Sequence, residues 1–156
     1  MILQRPVRPL RDGATVVRVP RGGDLDALVR YGGDPDVAET VWVPIPTPVS
    51  RVVAAERLDD FGRGWARENR FGPALIVADA QSDGMIGVLF FRAREQDSVE
   101  LSYGVAPALR NRGAATAAVT LASSWCLQEL GAARVELRIG QGNLASQRVA
   151  AKAGFS

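Results

Sequence analysis

The stretch Pro107-Ala108-Leu109-Arg110-Asn111-Arg112-Gly113-Ala114-Ala115-Thr116 decides the reading of this chain. It passes from a turn into an alanine-rich run with helical spacing. The start of a helix leaves backbone N–H groups unpaired, and the helix dipole adds partial positive charge there. Such an end binds phosphate. Gly113, Ala114 and Ala115 keep the backbone bare, so a pyrophosphate can approach closely, and Arg110 and Arg112 supply charge. The segment is neither G-x-G-x-x-G nor a Walker A sequence, so a dinucleotide or nucleoside triphosphate is not indicated. Taken alone, it also fits a basic loop ahead of an ordinary core helix.

The flanking elements give that turn a context. Upstream, residues 74–80 and 85–93 read as strands joined by Ser82-Asp83-Gly84, a hairpin signal. Gln96-Asp97 makes a second turn, and residues 98–105 a third strand. Three turn-linked strands form an antiparallel meander. Downstream, residues 112–130 read as a helix with Ala114, Ala117, Ala118, Leu121, Ala122 and Trp125 on one face, ended by Gly131. Residues 134–139 are a strand. After the turn at 140–142, Asn143 caps a last helix to about residue 153. The strand–helix–strand unit over 98–139 requires a right-handed crossover, so its two strands are parallel.

The N-terminal part is plainer. Residues 1–13 read as irregular and 14–20 as a strand. A short helix runs through Leu25, Leu28 and Val29, and a second one follows from Asp34-Pro35 through Val41. The three prolines of 44–48 form a loop, and a longer helix starts near Thr47 or Ser50. The order is β, α, α, β, β, β, α, β, α, without repeats or a linker. The class is α/β, one domain over residues 1–156, with a mixed sheet.

Composition sets limits. At 156 residues the chain can bury a core without disulfides or metals. It has 47% hydrophobic and 23% charged residues, the globular range. Its single cysteine, Cys126, forbids an intrachain disulfide and fits a reducing compartment. There is no histidine. That excludes Ser-His-Asp and Cys-His catalysis and histidine metal sites. No signal peptide and no membrane-length apolar run is present, so a cytoplasmic protein without membrane partners is expected. The net charge is only +2, and the arginines form no basic stripe with interleaved aromatics, which argues against a nucleic-acid partner.

With these elements in order, the sequence resembles the GCN-five-related N-acetyltransferases, the GNAT superfamily. Their cofactor motif R/Q-x-x-G-x-G/A is matched by Arg110, Gly113 and Ala115. Val99-Glu100-Leu101-Ser102-Tyr103-Gly104-Val105-Ala106-Pro107 resembles the strand before that motif. Asn143-Leu144-Ala145-Ser146, then Lys152-Ala153-Gly154-Phe155, resembles an N-x-x-S…K-x-G-F segment typical of the RimJ/RimL-like branch. The resemblance implies a three-layer fold, with a mixed central sheet and helices on both faces. It implies acetyl-CoA, or another short acyl-CoA such as succinyl-CoA, and no metal. It implies direct attack on the thioester by an amine, either a small molecule or a protein N-terminus. Backbone near Tyr103 and Val105 would flank the pantetheine arm, the amides of Asn111, Arg112, Gly113, Ala114 and Ala115 would hold the pyrophosphate, and Asn143 would contact the cofactor. The family's two closing strands are absent from the sequence, so an edge covered by an unseen tail or by a second copy in a homodimer is expected.

The chemistry then needs a base and an acid. Without histidine the base is a carboxylate acting through water. Glu100 is the candidate, set against a plain surface glutamate on a strand face. Many family members place a tyrosine acid seven residues after the asparagine, where this chain has Ala150. Ser146 takes the role of thiolate donor in this reading, set against a serine that only caps its own helix. Trp42 and the 44–48 loop fall where the family shapes the acceptor pocket. A CoA-binding domain with little turnover is the non-enzyme alternative.

Overall fold

The computed structural model describes residues 1–32, 50–106, 110 and 112–156. Six strands form one sheet in sequence order: β1 (Leu10–Arg11), β2 (Thr15–Arg18), β3 (Ala74–Asp79), β4 (Met85–Arg94), β5 (Ser98–Val105) and β6 (Arg134–Leu137). All neighbours are antiparallel except β5 and β6, which are parallel. The expected meander and crossover are both present. Residues 10–11, read as irregular, instead form a two-residue edge strand on β2, with Leu10 opposite Val17. An element that short carries no alternation to detect. β6 stops at Leu137, two residues before the expected end.

Helices α1 (Leu25–Gly32) and α2 (Arg51–Arg63) cover one face of the sheet. Leu28, Ala54, Leu58 and Phe61 pack there on Val16, Ile76 and Val88. α3 (Ala114–Trp125) covers the other face, with Ala118, Val119 and Ala122 fully buried against Leu75, Leu89 and Leu101. The small alanines let this helix lie close to the strands. α4 (Leu144–Lys152) adds Val149 to that side, followed by Phe155. The result is the expected three-layer α/β arrangement. β3 sits inside it, and its first five residues, Ala74 to Ala78, are all buried, as a strand covered on both faces must be.

Local signals set most boundaries. Ser50 caps α2, its hydroxyl accepting from the Val53 N–H at 3.1 Å, a contact of about 1 kcal/mol. Trp65, two residues past α2, packs on the α3 side with Phe91 and Trp125. The helix expected over 112–130 ends at Trp125 and continues as a π-helical turn to Leu130, closed by Gly131 in the left-handed region. The second short helix, Trp42 and the 44–48 loop lie outside the described residues.

A buried ion network ties the N-terminal part to the meander. Arg18, 3% exposed, binds Asp24 through two bonds of 2.8 and 2.9 Å and reaches Asp83 at 2.9 Å. It joins β2, the turn before α1 and the β3–β4 turn. Removing Arg18 leaves the buried Asp24 with only the Arg21 N–H as partner among the described residues, and an uncompensated buried charge costs several kcal/mol. Arg18→Gln is therefore expected to lower unfolding free energy by about 3 kcal/mol in urea titrations. Arg18→Met/Asp24→Leu should recover at least half of it, because neither charge remains. The Arg18 guanidinium also holds the Asp83 carboxyl below its ordinary value. A lowered carboxyl stabilises the fold above its unfolded pKa, here 3.8, and that share is lost as pH falls below it. Arg18→Gln should flatten stability against pH in that acid range.

Candidate active site

The site originates where a ladder stops. On one edge all eight residues of β5 face β4, from Ser98 opposite Arg94 to Val105 opposite Gly87. On the other edge only Ser98 to Leu101 face β6, with Leu101 opposite Leu137. Beyond that pair the two parallel strands part. The chain after β6 runs through Arg138 and Ile139 to the turn at 140–142 and into α4. Among the described residues, 102–105 thus have one edge without a strand partner, and the opening lies between them and the start of α4.

Tyr103 and Ser146 face each other across this opening. The Tyr103 hydroxyl reaches across to the Ser146 carbonyl at 3.5 Å, a long contact that a ligand can displace at little cost. Burial raises the pKa of this phenol. Val105 ends β5, and its carbonyl accepts from the Arg110 Nε at 3.2 Å. Arg110 therefore ties the loop back to the strand. Asn111 lies outside the described residues. Arg112 is exposed, close enough to the β3–β4 turn to help lower the Asp79 carboxyl, which is held down mainly by N–H groups of Ser82 and Gln81.

Gly113 is the N-cap of α3 and sits at φ 75°, a left-handed conformation that glycine adopts freely. It offers no side-chain cap, and the first turn of α3 has no acidic residue. A Cβ built on Gly113 would meet nothing within 4 Å. Ala114 is buried and Ala115 half-buried. No side chain caps this end among the described residues, and an anion is the group such an end favours. These residues fit a pyrophosphate.

Asn143 caps α4, its Oδ1 accepting from the Ser146 N–H at 3.1 Å. The cap is thus made by Asn143, and the Ser146 hydroxyl, half-exposed, forms no hydrogen bond among the described residues. Cys126 is buried, and burial pushes its thiol up to about 12. It is an inert core residue. Among the described residues no group of three or more His, Cys, Asp or Glu side chains could hold a metal, and no described helix is long and apolar enough to cross a membrane.

Glu100 lies on the sheet face opposite Leu101, and 15% of its side chain is exposed. It lines a cavity of about 90 Å³ beside the opening, together with Phe71, Phe90, Arg92, Ser102 and Arg138. Its Oε2 accepts from the Arg94 Nε at 2.6 Å and lies 3.4 Å from the Arg138 Nε. No hydrogen bond to Oε1 is formed among the described residues. Sequence reading did not single out Arg94 or Arg138. The signal was present in the 95–97 turn, which sets Arg94 opposite Ser98 and Arg92 opposite Glu100 and so puts both arginines on the Glu100 face. The far lip of the cavity, residues 68–73, is pressed onto the end of α2. A Cβ on Gly64 would sit 2.5 Å from the Gly72 carbonyl carbon and the Pro73 nitrogen, so only glycine fits there.

The geometry has known counterparts. A family model described as an acetyltransferase (GNAT) domain matches residues 15–156. No curated protein matches the chain in sequence. Among solved structures, a GNAT-family acetyltransferase from Bacillus anthracis shares the fold with a TM-score of 0.77 at 18% identity, over 94% of this chain and 82% of that one. A protein described as a ribosomal-protein-serine acetyltransferase from Vibrio cholerae gives 0.77 at 17%, over 99% and 84%. The ribosomal-protein-S5-alanine acetyltransferase of Vibrio fischeri gives 0.76 at 17%, over 96% and 83%. The family model covers nearly the whole chain and the fold agrees with it, so this chain belongs to the GNAT family of acyl-CoA-dependent N-acetyltransferases.

Proposed function

We propose that the chain transfers an acetyl group from acetyl-CoA to an amine, with a protein N-terminal amine or a small amine as acceptor. The observation that carries this reading is the opening between β5 and β6, bordered by the uncapped start of α3. Acetyl-CoA supplies an activated thioester. The chain's residues bind it, orient it and move protons. The amides from Gly113 onward receive the pyrophosphate, with Arg112 adding charge. The free edge of residues 102–105 offers N–H and C=O groups to the amide-bearing pantetheine arm, as an added strand would. Tyr103 gives up its contact with the Ser146 carbonyl when the arm enters. Asn143 borders the same opening. The likeness of fold to two ribosomal-protein acetyltransferases supports a protein N-terminus as acceptor.

Glu100 receives the proton of the attacking amine through water at Oε1. Arg94 and Arg138 bind Oε2 and leave Oε1 to that water. The Ser146 hydroxyl hydrogen-bonds the departing thiolate and passes it a proton while taking one from solvent water, so the serine ends as it began. Ala150, where a tyrosine acid would stand, leaves that role open for it.

The direct test follows thiol release from acetyl-CoA with a panel of peptides and polyamines. Turnover with at least one amine is expected; CoA binding without any turnover would instead identify a binding domain. Glu100→Gln should lower kcat/KM by about 10²-fold, the usual scale for a lost general base, and should remove the acid limb of the pH–rate profile. An unaltered profile would take Glu100 out of the mechanism. Ser146→Ala should lower kcat about tenfold or more while the Kd of acetyl-CoA stays within about twofold, since its effect belongs to the leaving group. Equal turnover would assign the thiolate proton to another donor.

A further inference from the structure

The cavity around Glu100 has a charge imbalance that the transfer reaction does not explain. Among the described residues three guanidiniums, those of Arg70, Arg92 and Arg138, line it with two carboxylates, Glu68 and Glu100, and a fourth, Arg94, binds Glu100 from beside the lining. Glu100 is already shared by Arg94 and Arg138. Glu68 faces Arg92 at 3.8 Å, a loose pair. Arg70 is exposed, has no carboxylate partner among the described residues and lies 5.4 Å from the Phe71 ring centre. The same ring carries Arg57 at 3.5 Å, whose charge is paired with Asp60. Phe71, Phe90, Phe91 and Pro73 supply the apolar part of the wall. The volume of about 90 Å³ is ample for a carboxylate. The cavity opens on the α1–α2 face, across the sheet from α3. A group seated there belongs to the end of the substrates remote from the pyrophosphate.

We propose that this cavity is a carboxylate subsite of the acyl-transfer site, with Arg70 and Arg138 as its principal donors. The proposal rests on the acyl-transfer reading above. The carboxylate arrives either on the acceptor amine or at the far end of the acyl chain. Guanidinium forks match a carboxylate in shape as well as charge. An ammonium is repelled by the same wall, so the acceptor is held as the neutral amine that attack requires.

Two ratios of kcat/KM, measured on the full chain, separate the sources. The first compares the dipeptides Ala-Glu and Ala-Gln, both C-terminally amidated, with acetyl-CoA as donor. The second compares succinyl-CoA with acetyl-CoA, using amidated Ala-Gln as acceptor. One of them should exceed about tenfold, the scale of a charge-assisted bond. The first assigns the carboxylate to the acceptor, the second to the acyl chain. The preference should shrink with added salt and fall toward one in Arg70→Gln and Arg138→Gln, while Arg8→Gln, an exposed arginine on the N-terminal segment, keeps it. Ratios within about twofold of one, or a preference that survives both substitutions, would overturn the proposal. If no dipeptide is acylated, calorimetric titration of glutarate into the CoA-saturated chain, and of succinyl-CoA against acetyl-CoA, decides. Preferential carboxylate binding then upholds the subsite and overturns acyl transfer to these amines; no preference overturns the subsite.

Discussion

Everything in this molecule that bears on function depends on how far β5 and β6 stay hydrogen-bonded. Their parallel ladder runs for four registered pairs and ends at Leu101 and Leu137. A longer ladder would close the sheet and leave no edge for a ligand. It stops because the chain after Leu137 must turn at 140–142 and enter α4, whose Val149, with Ala153 and Phe155 just beyond it, packs on the α3-side core. That packing draws the strand's continuation away from β5. Meanwhile β4 holds β5 straight on its other side as far as Val105. One strand is fixed, the other is drawn off, and a wedge results.

The two sides of this wedge differ in their electrostatics. On the α3 side the positive field comes from backbone amides and the dipole of a helix without a side-chain cap, and a glycine keeps the approach clear. On the α1–α2 side it comes from guanidiniums, with Glu100 held among them. Backbone amides are fixed by the helix and cost nothing to organise. Guanidiniums need positioning, and here the β4–β5 register and the doubly used Glu100 oxygen supply it. The lip at 68–73 closes that side only because Gly64 lets the chain fold back tightly on α2.

Much of this was legible in the residues. The hairpin turns, the Ser50 and Asn143 caps and the Gly131 stop are local devices whose chemistry is complete within a few positions. The crossover of β5 and β6 followed from chirality alone. Other features were not legible, each for a stated reason. The edge strand at Leu10–Arg11 exists only because β2 is there to pair with it. The change from α to π winding at Cys126 has no composition mark of its own. Trp65 carries a helical spacing that points to the α2 core, yet it packs with Phe91 and Trp125 on the other side.

By itself, the sequence determined the β3–β5 meander, the parallel pairing of β5 and β6 and the glycine-led start of α3, because short-range sterics dictate these. It also determined which side chains were available for chemistry, and the absence of histidine narrowed that choice to carboxylates, hydroxyls and arginines. Only the tertiary structure decided where the β5–β6 ladder ends, and which face of β5 Glu100 shares with Arg94 and Arg138. Register and splay come from packing between elements far apart in the chain. A residue such as Arg138 acquires its meaning only when β6 is laid beside β5 and its guanidinium meets a carboxylate 38 positions earlier.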